Sequence, residues 1–156
     1  MSKNQSNRNG APVTDINWSL QAQKVMTFAG ATTDDPGEYD GAGNPATLFT
    51  VTGTCLVRIL AKCTTTLTGA SATLEVGTAL DTDGLIATTT GTDIDVNEIW
   101  HDASPDNSIE APTVLAQKIV SDDIIQTVAT ADVTAGVIEY TAIWYPLTPD
   151  SSVVAA

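Results

Sequence analysis

Apolar and polar residues alternate along Cys55–Cys63. Cys55, Val57, Ile59, Ala61 and Cys63 fall on one side of an extended chain, and Leu56, Arg58, Leu60 and Lys62 on the other. The first set is wholly apolar and the second mixed, the period of two expected of a strand with one face in a core. The same pattern returns near the end of the chain. There Ile138, Tyr140, Ala142 and Trp144 oppose Val137, Glu139, Thr141, Ile143 and Tyr145, until Pro146 and Pro149 stop the run. Shorter strands are predicted at 24–29, 48–53, 72–78, 85–89, 97–101 and 124–129. Asp83-Gly84 supplies a hairpin signal before the fourth of these. Only 19–26 and 113–120 offer helical candidates, and both are short. Turn signals every ~8–12 residues predict an all-β fold: an antiparallel β-sandwich of about eight strands, with jelly-roll or Greek-key-like wiring.

The chain has 156 residues, enough for one domain with its own core. Residues 1–15 read as a polar N-terminal arm, 16–147 as a single sandwich domain and 148–156 as a C-terminal tail. Within the domain, 30–47 carries four Gly, two Pro and clustered Asp, and reads as one long loop. No apolar run approaches the ~20 residues of a membrane span. The polar start has no apolar stretch after Lys3 and Arg8, so it does not read as a secretory signal, and synthesis in a cytoplasm is expected.

Charge narrows the partners. Six Lys and Arg stand against nineteen Asp and Glu, a formal net charge of −13. A phosphate backbone is bound by Lys and Arg, so neither nucleic acid nor an anionic membrane is an expected partner. Beyond the first ten residues the only cations are Lys24, Arg58, Lys62 and Lys118, too few for a basic groove.

Candidate chemistry is sparse. If Cys55 and Cys63 share one strand, eight residues at ~3.3 Å each hold them about 26 Å apart, far beyond the reach of a disulfide. Their spacing does not suit zinc either, and His101 is the single histidine. Both therefore read as small core hydrophobes, with a bond to another copy of the chain as the alternative. His101 lies near Glu98, Asp102 and Asp106, but no nucleophile elbow accompanies it. Acid pairs such as Asp93 with Asp95 and Asp122-Asp123 are expected by chance in so acidic a chain. Asp81–Gly84 resembles part of a calcium loop but lacks its later ligands. No catalytic residue, cofactor or metal is expected. Trp18, Phe28 and Tyr39 read as anchors of the N-terminal segment or as lining of a sugar or partner site. Glu139, mid-strand among apolar neighbours, would need a partner if buried, and Arg58 is the natural candidate.

The stretches 52–106 and 135–154, with their Thr/Gly/Ala-rich strands and closing Trp-Tyr-Pro-Leu, resemble small virion proteins encoded near the capsid genes of tailed bacteriophages, including capsid decoration (cement) proteins. The resemblance implies a non-enzymatic β-sandwich on the capsid surface, often a homotrimer, that clamps neighbouring copies of the major capsid protein. Expected contacts are Lys3, Arg8, Pro12 and Trp18 from the N-terminal segment, and Asp35, Tyr39 and Asn44 from the long loop. The alternatives are a carbohydrate- or receptor-binding sandwich, as in a head fibre or tail module, and a tail-tube or head-completion protein.

Overall fold

A computed structural model of the chain describes residues 20–29, 35–107 and 117–156. These residues form an antiparallel two-sheet sandwich with eleven strands among them. The strands are β1 (Leu20–Phe28), β2 (Ala46–Thr52), β3 (Cys55–Thr68), β4 (Thr73–Thr78), β5 (Asp81–Thr90), β6 (Glu98–Trp100), β7 (Asp106–Asn107), β8 (Lys118–Val120), β9 (Ile124–Ala129), β10 (Ala135–Pro146) and β11 (Ser152–Ala155). A single 3-10 turn, Gly91–Asp93, follows β5. The larger sheet runs β1-β10-β3-β6-β7, with β8 also paired to β3; the smaller runs β11-β2-β9-β4-β5.

The predicted alternation becomes the core. Cys55, Val57, Ile59, Ala61 and Cys63 of β3 are buried, as are Ile138, Tyr140, Ala142 and Trp144 of β10. Those two strands are Cα partners from Pro146↔Cys55 to Ile138↔Cys63. Leu48 and Phe49 of β2, Leu74 and Val76 of β4, and Ile124 and Val128 of β9 close on them from the facing sheet. Removing these side chains from water is the main stabilising contribution, about 1.5–3 kcal/mol for each large one.

Buried polar groups join the layers. Tyr140 Oη donates to Gln126 Oε1 at 2.9 Å, from the larger sheet to the smaller. Trp100 Nε1 donates to Thr89 Oγ1 at 2.8 Å, tying β6 to β5. The Trp100 and Tyr140 rings meet edge to face, centroids 6.3 Å apart.

Four expectations change. Residues 20–26 are strand, not helix, because Met26 and Phe28 face the core at a period of two and the register with β10 runs through Leu20↔Trp144. Lys118–Val120, in the second helical candidate, is also strand, while residues 113–116 lie outside the described residues. The presumed tail carries β11, which pairs Val153 with Val51 and buries its side chain. The β4–β5 turn sits at Ala79-Leu80, and Asp83-Gly84 lies within β5. Gly77 permits that arrangement: a Cβ there would lie 2.0 Å from the Asp81 carbonyl oxygen.

Candidate interaction surface

Asn44 joins the long loop to the sheet. Its Nδ2 lies 2.7 Å from both the Tyr39 and Val128 carbonyl oxygens, and its Oδ1 accepts from Val128 N–H at 2.9 Å. The side-chain amide thus completes the ladder edge of β9 as a backbone peptide would. Asp132 Oδ1 accepts from Tyr39 N–H at 3.0 Å, and Gly37 O from Val133 N–H at 2.8 Å, so the loop is held against the β9–β10 turn. Asn44 is therefore spent on the fold. Asp35 is half-buried, and its carbonyl oxygen accepts from Glu38 N–H. Tyr39 remains 45% exposed and is the member of this group that presents an aromatic ring to solvent. Lys3, Arg8, Pro12 and Trp18 lie outside the described residues.

The outer face of the larger sheet is the surface that sequence reading leaves unassigned. Strand register lays its side chains in rows. Leu56 stands between Tyr145 and Ile119. Arg58 lies opposite Ile143, and Leu60 opposite Thr141. Lys62 lies opposite Glu139, with Val25 beyond Glu139 and Ile99 beyond Lys62. Glu139 thus faces Lys62 rather than Arg58, four residues away along β3, and it is exposed, so burial does not demand a partner. Arg58 shares this face with Leu56, Leu60 and Ile143, and its Nε has neither solvent contact nor a hydrogen-bond partner. Two of the four cations in the described residues thus share one half-apolar face of an otherwise acidic molecule.

The remaining reactive side chains belong to the interior. Cys55 and Cys63 are buried free thiols. Burial pushes both up from the usual thiol range, so both stay protonated near neutrality. Cys63 Sγ–H donates to the Thr65 carbonyl oxygen at 3.1 Å. His101 is buried, its Nδ1 3.7 Å from Asp102 Oδ2. Among the described residues, no three His, Cys, Asp or Glu side chains converge as metal ligands. No family model, characterised protein or solved structure matches this chain.

Proposed function

We propose that this chain is a non-enzymatic virion structural protein of the capsid-decoration type, made in a host cytoplasm and seated on the outer surface of a phage head. The observation that carries the reading is the outer face of the larger sheet. It sets Leu56, Leu60, Ile143 and Tyr145 beside Arg58 and Lys62 on a strand-built surface. Such a face suits a partner that is apolar at its centre and carries a carboxylate for Arg58, Lys62 already standing opposite Glu139. A head repeats its surface many times, so a modest contact per copy gains from multivalency when copies touch. The net charge of −13 keeps free copies soluble before they are seated. The resemblance of 52–106 and 135–154 to phage decoration proteins agrees with this reading.

The test is cosedimentation of the purified full chain with tailed-phage heads stripped of their own decoration protein. Saturable binding at a fixed number of copies per head supports the proposal. Absence of binding across the accessible concentration range contradicts it. The exposed ring of Tyr39 favours a second reading, carbohydrate recognition. Glycan binding abolished by Tyr39→Ala, without head binding, would move the assignment there.

A further inference from the structure

The two sheets meet differently along their two margins. At one margin β1 and β11 come together, with Lys24 Nζ donating to the Ala156 carbonyl oxygen. At the other, the Trp100–Thr89 hydrogen bond ties β6 to β5 at one end only. Farther along β5 a cleft of about 150 Å³ opens between Thr78, Asp81 and Leu85 on one side and Lys118, Ile119 and Val120 on the other. Among the described residues β5 pairs only with β4, and β8 only with β3. Within the described residues each strand therefore turns an unpaired backbone edge towards this margin, and such edges accept an added strand. The two most exposed large apolar residues stand beside the cleft: Leu80 at the hairpin tip, 88% exposed, and Ile119, 70% exposed. Asp81 and Asp83 supply exposed acids, against the single cation Lys118.

We propose that this margin receives residues 8–13 of a second copy of the chain as an added strand. Charge and apolarity match. Before Asp15 the arm carries only cationic side-chain charge, at Lys3 and Arg8, and its one internal apolar run is Ala11-Pro12-Val13. Arg8 answers Asp81 and Asp83, while the apolar run answers Leu85, Ile119 and Val120. Pro12 withholds a hydrogen-bond donor, which suits a strand whose other edge stays in solvent. Position matches as well. Leu20, the first described residue, opens β1 at the margin opposite the cleft. A donor at one margin and a receiver at the other make a head-to-tail contact, the heterologous kind that closes into rings such as trimers. Extended chain covers ~3.3 Å per residue, so the seven steps from Val13 to Leu20 bridge roughly 23 Å between neighbouring bodies.

The inference does not depend on head binding and is tested in solution with the full chain. Sedimentation should give an oligomer that falls to the monomer mass when residues 2–15 are deleted, with the thermal transition retained. A Val13→Cys chain mixed with a differently tagged Ile119→Cys chain should form a mixed-tag disulfide under mild oxidation. Asp83→Lys in the receiving copy should cut the yield severalfold, and Arg8→Glu in the donor should restore part of it. A monomeric full chain, an oligomer indifferent to the deletion, or a cross-link formed only within a doubly substituted chain would each overturn the proposal.

Discussion

Tyr140 on β10 and Gln126 on β9 form a hydrogen bond of 2.9 Å between two fully buried side chains, each from a different sheet. Gln126 Nε2 has no partner, so the amide depends on Tyr140 for its one side-chain contact. Tyr140→Phe should therefore destabilise the fold by about 1–3 kcal/mol, the usual penalty for stranding a buried polar group. Adding Gln126→Leu should recover much of the loss, because both polar partners are then gone. Denaturant unfolding of the two variants measures this.

Burial pushes the Tyr140 phenol well above its ordinary value, with the charge of Cys63 adding to the effect. The two thiols are also raised by burial; for Cys63 the hydrogen bond to Thr65 opposes the shift and nearby Glu98 and Asp95 reinforce it. A raised acid keeps its proton in the folded state after the unfolded chain has lost it. Stability is then fully present below the unfolded pKa and falls as pH rises. The decline should begin above about pH 8.5, the unfolded thiol value, and steepen above about pH 10, the unfolded phenol value. Replacing both Cys55 and Cys63 by Ala should flatten the first part, and Tyr140→Phe the second. Unfolding free energy measured against pH reads both.

Asn44 holds its loop to β9 through two hydrogen bonds with Val128, and a third to the Tyr39 carbonyl oxygen braces the loop itself. Asn44→Ala leaves Val128 N–H without its acceptor and should cost about 2 kcal/mol. Hydrogen exchange should quicken at Val128 and at Tyr39 while the β3–β10 pair stays protected.

If the outer face of the larger sheet is the seat on the head, charge placed in its middle should act on binding rather than folding. Leu60→Glu and Lys62→Glu should each lower head affinity by about tenfold or more, about 1.4 kcal/mol, with the thermal transition little changed. Thr50→Glu, exposed on β2 in the other sheet, is the control that should leave binding intact.

Alternation made β3 and β10 legible, because each buries one face and shows the other to solvent or to a mixed surface. Cys55 and Cys63 follow from that same strand. The edge elements were legible only in part. The second half of β1 was read as strand, but its first half has no buried residue to set a period, and β11 buries Val153 alone. The β4–β5 turn misled because Gly77 accommodates a tight approach that the local dipeptide does not reveal. Opposing Glu139 to Lys62 instead of Arg58 depends on register between strands some 80 residues apart, as does the cleft between β5 and β8. Of the expected contacts in the long loop, Tyr39 keeps an exposed ring while Asn44 turns inward, a division that only tertiary hydrogen bonds decide.

The most direct measurement is an image of the native particle at a resolution that separates strands. The account predicts the eleven-stranded sandwich on the outside of the head, Arg58 and Ile143 turned towards the shell, and each arm reaching a neighbouring copy. Heads that lack the sandwich, or a sandwich found only within the tail or at a fibre tip, would contradict it.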